Sequence, residues 1–224
     1  MTDYRKLVAE FVGTFTLIFA GVGAVLSTQG TNLVAVAVAH GVAIAVMGTA
    51  LGHVSGGAFN PAVTIGLWVT RRLPAMDAVS YIVVQLLGGI AAAFVLSSVF
   101  DPTLQDQVKL GATLLAPGVS PVQGIVIEVL LTFFLVIAIF GTALDSRAPK
   151  LGALLIGLTI VMDIAAAGPM TGASMNPARS LGPALIAGEW ANHAVYWVGP
   201  ILGAVFAALL YDFAFAEKRE GATA

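Results

Sequence analysis

The chain has 224 residues, 58% of them hydrophobic and only 10% charged, with a formal net charge of −2 and no cysteine. Soluble domains carry about 25% charged residues, so this chain, with a mean hydropathy of +0.96, has too little polar surface to face water all round. The near-neutral charge excludes nucleic acid as a partner, and the missing cysteines exclude disulfides, thiolate metal sites and a cysteine nucleophile.

The predicted elements follow in chain order. A first apolar span covers about 7–27, after Arg5 and Lys6. It carries Glu10, is long, and is followed by further spans, which argues against a signal peptide. A second span, 33–52, holds His40. An irregular stretch at 52–59 contains His53 and leads into a short apolar segment, 61–69. Nine helical residues reach only about 13 Å, roughly half the hydrocarbon core, so this segment is a half-helix. The third span is 79–100. A loop at 101–121 carries Lys109, and a fourth span, 122–144, holds Glu128. The fifth span, 150–167, holds Asp163. A second irregular stretch, 168–175, precedes a second half-helix at 177–187. The sixth span, 192–215, begins beside His193.

The chain is written twice. Residues 52–64 read GHVSGGAFNPAVT and residues 168–180 read GPMTGASMNPARS, at a constant offset of 116. Glu10 and Glu128 also correspond, at an offset of 118. We therefore read one channel domain over 1–224, with repeat one at about 1–100, a linker at 101–121 and repeat two at 122–224. Three spans per repeat force the halves into opposite orientations. The expected fold is all-α, with six transmembrane helices, two re-entrant half-helices and an inverted 3+3 repeat.

In each half Asn caps a half-helix and Pro occupies its first position, where no N–H is needed. The capping pairs are Asn60 with Pro61 and Ala62, and Asn176 with Pro177 and Ala178. The two N-termini then meet near the midplane, each carrying about half a positive charge. Cations and protonated water chains meet a barrier there, and neutral molecules do not. Irregular backbone is tolerated at this depth only where it lines a wet cavity. The carbonyls of Gly56, Gly57, Ala58, Gly172 and Ser174 are candidate acceptors along it.

The doubled Asn-Pro-Ala, the opening Ala9-Glu10-Phe11-x-Gly13-Thr14-Phe15 and the inverted repeat together resemble the aquaporin (major intrinsic protein) family over nearly the whole chain. The resemblance implies a homotetramer with one water pore per subunit and no cofactor. It also implies a narrow selectivity filter of four positions, which here are His40, Ile164, Ala173 and Arg179. The strict water-channel pattern has Phe, His, and Cys or Thr at the first three. This set resembles that of some plant tonoplast intrinsic proteins, as do the stretches SMNPARSLGPA and YWVGP. One filter wall becomes apolar at Ile164 and the opening widens, so ammonia, hydrogen peroxide or urea become candidate solutes beside water. Mercurials that act through cysteine should not block such a pore. Glycerol facilitators usually carry Asp after the arginine, a basic residue four positions further on and Pro-Leu in the sixth span. Ser180, Ala184 and Tyr196-Trp197 stand there instead, which disfavours glycerol.

Arg179 is the leading functional candidate, because a buried membrane charge is costly and usually functional. His40 is either a filter group or a hydrogen-bonded core histidine. His53 either lines the inner vestibule or is structural, and His193 satisfies a loop hydrogen bond. Glu10 and Glu128 hold the loop backbones in place. Asp163 either tunes the filter field from behind or bonds a neighbouring helix. The three histidines have no metal-ligand spacing, and no nucleophile elbow is present, so the chain is not expected to be an enzyme or to bind a metal. Eight of the ten Lys and Arg residues, among them Arg71, Arg72, Arg147, Lys150, Lys218 and Arg219, fall on one side. That side should be cytoplasmic and hold both termini. The short tails suggest a bacterial cell membrane. The rival readings are a glycerol or small-solute facilitator, a secondary transporter and a structural junction protein.

Overall fold

The computed structural model describes residues 2–216, which leaves Lys218 and Arg219 outside the described residues. The described chain is helical throughout. Helices α1 (Tyr4–Ser27), α2 (Leu33–Ser55), α4 (Ala75–Val99), α7 (Gly152–Thr171) and α9 (Val195–Ala214) are long and apolar enough to cross a bilayer. The remaining span, fourth in chain order, runs from Pro121 to Leu144; it comprises α6 (Pro121–Ile139) and a wider π turn at Phe140–Leu144. Two short helices, α3 (Pro61–Val69) and α8 (Pro177–Ala187), are the half-helices, with the bounds that the Asn-Pro signals predict. The linker holds a short helix α5 (Pro102–Gln107) and a 3-10 turn at Lys109–Gly111.

The surface is inside-out relative to a soluble bundle. Val34, Val38, Val42 and Val46 recur every fourth residue along the exposed face of α2, as do Val122, Val126, Leu130 and Phe134 along α6. Such stripes suit lipid as solvent. The interior mixes aliphatic and aromatic side chains such as Leu17, Ile18 and Phe59 with Ala, Thr and a few ionisable groups.

Small residues set the helix spacing. Methyls added at Gly41 or Gly157 would overlap each other's carbonyl oxygens, so α2 and α7 cross backbone to backbone at corresponding positions of the two repeats. Gly88 packs on the Phe11 carbonyl of α1, and Gly89 on the Ala178 carbonyl of α8. Gly199 meets the Glu128 side chain of α6, and Gly203 the Val129 carbonyl. The small-residue spacings of the third and sixth spans therefore serve contacts within the subunit. The half-helices exchange repeats: α3 lies against α9, and α8 against α4.

Two boundaries next to the re-entrant loops differ from the sequence reading. Helix α2 continues to Ser55 and α7 to Thr171, so the irregular backbone is shorter than expected, 56–59 and 172–175. The stops are Gly56 (φ 93°) and Gly172 (φ 81°), which end their helices in the left-handed conformation that glycine adopts without steric cost. His53 therefore belongs to the last turn of α2 rather than to a loop.

A candidate pore and its filter

The two re-entrant loops are built alike, residue for residue. Gly56, Gly57 and Phe59 have positive φ, and so do their counterparts Gly172, Ala173 and Met175. Bulky side chains are uncommon in that region, and here buried carboxylates hold them. Glu10 accepts from the Ser55 hydroxyl (2.6 Å), the Ala58 amide (3.1 Å), the Phe59 amide (2.7 Å) and the Gln85 side-chain amide (2.7 Å). Glu128 accepts from the Thr171 hydroxyl (2.8 Å) and the amides of Ser174 (2.9 Å) and Met175 (2.8 Å). The donors shared by the two loops are related by the same offset of 116. Gln85 has no analogue at Glu128. Sequence reasoning missed it, since nothing local marks that amide as the fourth donor.

Each motif asparagine uses both ends of its amide. Oδ1 of Asn60 accepts from the Ala62 amide (2.8 Å), and Oδ1 of Asn176 from the amides of Ala178 (2.9 Å) and Arg179 (3.3 Å). These caps fix which end is nitrogen. Nδ2 of Asn60 donates to the Met175 carbonyl (2.7 Å), and Nδ2 of Asn176 to the Phe59 carbonyl (3.0 Å). The half-helices thus meet N-terminus to N-terminus, laced across the repeat boundary. An amide nitrogen carries two hydrogens, and the second on each Nδ2 has no protein partner among the bonds described.

A cavity of about 430 Å³ runs past this junction. Gly56, Gly57, Ala58, Asn60, Ala173, Ser174 and Asn176 line it, and Leu144, Lys150 and Gly152 border one end. Its other end holds all four filter candidates: His40, Ile164, Ala173 and Arg179. A second cavity of about 180 Å³ lies beyond, lined in part by Gly172 and Thr113. Ile164 and Arg179 border both.

The filter candidates are all buried, none more than 4% exposed. The His40 ring nitrogen Nδ1 lies 2.8 Å from the Val36 carbonyl. A carbonyl only accepts, so Nδ1 carries the hydrogen, while Nε2 is buried without a partner. The imidazole occupies the space a methyl on Gly21 would need, so Gly21 in α1 admits it. Arg179 donates from a guanidinium NH₂ to the Gly111 carbonyl (2.8 Å), and its Nε is buried with no partner. The Gly111 anchor also went unseen in the sequence, since it comes from the linker 68 residues away.

The remaining candidates lie off the cavity wall. His53 is exposed and takes no part in the lining, which leaves its vestibule reading without support. Asp163 is 1% exposed, sits outside the cavity lining, and its Oδ2 has no partner. His193, before α9, accepts from the Trp197 indole N–H at 3.2 Å, the loop hydrogen bond expected of it. Partial burial lowers its pKa from the ordinary histidine value.

Sequence comparison decides the family. The major intrinsic protein profile matches residues 1–211. This chain belongs to the major intrinsic protein family. As a member it resembles "Aquaporin TIP4-4" of Zea mays, 43% identical over 94% of this chain and 86% of that one. "Aquaporin TIP2-1" of Arabidopsis thaliana is 40% identical over 98% and 91% of the two chains. "Aquaporin AqpM" of Methanothermobacter thermautotrophicus is 40% identical over 95% and 98%. Among solved structures, that of the aquaglyceroporin from Plasmodium falciparum superposes with a TM-score of 0.83 over 94% of this chain and 96% of that one, at 24% identity, and shares the fold. This major intrinsic protein is thus a multi-pass membrane channel for water or small solutes.

Proposed function

We propose that the chain is a passive water channel with one pore per subunit, assembled as a homotetramer, that excludes ions and protons. The observation that carries this reading is the crosswise lacing of Asn60 and Asn176. It leaves each amide one N–H for a passing water oxygen, at a point where two half-helix N-termini add positive charge. A water held as acceptor from both amides donates its own hydrogens outward, along the pore, so no continuous proton wire crosses that point. Cations meet the same field as a barrier.

Arg179 supplies an unpartnered N–H at the filter, and the carbonyls of the two loops supply acceptors on either side of the junction. His40 with a free Nε2 lone pair, apolar Ile164 and small Ala173 complete a filter wide enough to admit ammonia, hydrogen peroxide or urea beside water. Ser180, Ala184 and Tyr196-Trp197 weigh against glycerol. With six spans, both termini lie on one side. Arg5, Lys6, Arg71, Arg72, Arg147 and Lys150 favour the cytoplasmic face for that side.

The test is stopped-flow light scattering on proteoliposomes after an osmotic step, with parallel gradients of ammonia and glycerol. Fast shrinkage of low activation energy without proton leak is expected, as is ammonia flux that falls in His40→Phe. Water permeability equal to that of empty liposomes, from folded protein, would overturn the reading.

A further inference from the structure

The linker turn that anchors Arg179 is itself held by a chain of hydroxyls. Thr113, Ser180 and Ser174 are buried, at 5%, 0% and 5% exposure. Thr113 Oγ1 lies 2.7 Å from Ser180 Oγ, and Ser180 Oγ is bonded in turn to Ser174 Oγ. Ser174 donates its only hydroxyl hydrogen to the Asn176 carbonyl (2.9 Å), which can only accept. The direction of the remaining bonds is then forced: Ser180 donates to Ser174, and Thr113 donates to Ser180. The chain therefore runs one way, from the linker to the carbonyl of the second motif asparagine. At that end the backbone is already clamped, because the Ser174 amide donates to Glu128 at 2.9 Å.

The linker end is held by packing as well: Leu110 is 2% exposed in the core, Gly111 lies against Val22, and Thr113 lies against Gly172. Lys109, Leu110 and Gly111 follow one another with φ of 50°, 49° and 67°, a left-handed run that does not propagate as a helix. Hydrogen bonds that return this stretch to the body of the protein include Gly111 to Arg179 (2.8 Å), Thr113 to Ser180, and the Ala116 amide to the Met170 carbonyl (2.9 Å). Gly111 stands two residues before Thr113, so whatever fixes Thr113 fixes the carbonyl that receives the guanidinium.

We propose that the Thr113–Ser180–Ser174 hydroxyl chain is the strut that sets the position of Arg179, which makes Thr113 and Ser180 positioning residues for solute selectivity. This rests on the pore reading above. It also gives Ser180 a physical role: a hydroxyl there both donates to Ser174 and accepts from Thr113. Alanine at 180 can do neither, and valine at 113 keeps the shape of threonine while removing its donor.

The experiment uses the full chain in proteoliposomes, with Thr113→Val, Ser180→Ala and the hydroxyl-retaining Thr113→Ser. Two quantities are read: backbone hydrogen–deuterium exchange of the 109–116 segment, and the ratio of glycerol to water permeability. In T113V and S180A, exchange of that segment should rise and the ratio should climb about fivefold, the factor one lost intramolecular hydrogen bond corresponds to. T113S should return both toward wild type. Unchanged exchange, or an unchanged ratio, in both T113V and S180A overturns the proposal. Failure of the wild type to pass water would instead overturn the pore reading; the exchange measurement, which needs no flux, would still decide whether the strut exists.

Discussion

Asn60 and Asn176 each hold the other's loop. The side-chain nitrogen of one donates to Met175 at 2.7 Å, and that of the other to Phe59 at 3.0 Å, while both oxygens cap their own half-helices. The bonds that close the junction between the repeats are thus made by the same amides that would meet the permeating water. On the proposed reading, selectivity and assembly at the midplane are therefore coupled.

Asn176→Asp tests that coupling. The carboxylate can still cap α8, but it has no hydrogen for the Phe59 carbonyl and places a negative charge where the half-helix ends favour one. Loss of the buried bond should cost about 1–3 kcal/mol. The cation barrier should fall as well. Thermal unfolding in detergent together with cation flux into proteoliposomes would show both effects. A variant as stable and as cation-tight as wild type would remove the asparagine from this role.

The two carboxylate clamps should differ in strength. Glu10 has four donors, Glu128 three, and the extra one is the Gln85 amide, bonded also to Thr64 at 2.9 Å. Gln85→Leu should cost about 1–3 kcal/mol through the unmet polar atoms it leaves at Glu10 and Thr64. Exchange protection should be lost at 56–59 and kept at 172–175. Equal loosening of both loops would mean that the clamps do not act independently.

Most of this architecture was legible in the sequence because its causes are local. Asn-Pro at the start of each half-helix is cap chemistry within three residues, and the doubling of the motif exposed the inverted repeat. The pairing of Glu10 with Glu128 followed from the same doubling. The ends of α2 and α7 were misplaced by about one turn because several glycines lie there, and the sequence does not say which takes the left-handed conformation. Gln85, Gly111 and Thr113 were not found as site residues, since each acts on a partner far along the chain and none has an unusual local pattern. His53, beside the first motif, lies in the last turn of α2, exposed and outside the cavity lining.

Gly21 and His40 form a pair in which one residue makes room for the other. Gly21→Ala should push the imidazole from its place and cost about 1–3 kcal/mol through overpacking. In a His40→Ala background the same change should cost much less. A double-mutant cycle on thermal stability would measure that coupling, and ammonia permeability should fall with the displaced ring. Additive costs would show that the methyl is absorbed elsewhere.

Wild-type protein should be insensitive to mercurials, since it contains no cysteine. Ala173 lines the cavity, is 2% exposed, and already carries a Cβ at φ 44°. Ala173→Cys should therefore fold without added backbone strain and place a thiol in the filter. Water permeability of this variant should drop on mercuric chloride and recover with a thiol reductant. An unaffected variant would put Ala173 outside the conducting path, and inhibition of the wild type would mean that mercury acts at a group other than a thiol.

His193 links a pH-sensitive group to two tryptophans. Its Nε2 accepts the Trp197 indole hydrogen, and Trp190 packs edge-on at a centroid distance of 5.0 Å. Protonation at Nε2 removes the acceptor, and burial disfavours the charged ring, so the folded-state pKa lies below the ordinary value. The sign follows from linkage: below that ordinary value the unfolded chain binds a proton that the folded one resists, so stability falls as pH drops. The effect is absent above it, where both states are neutral. Tryptophan emission followed from neutral to mildly acidic pH should change in wild type and stay flat in His193→Gln. Thermal stability should lose its acid dependence in the same window. An identical titration in both proteins would assign the change to other groups, and the Trp197 bond would then carry no pH response.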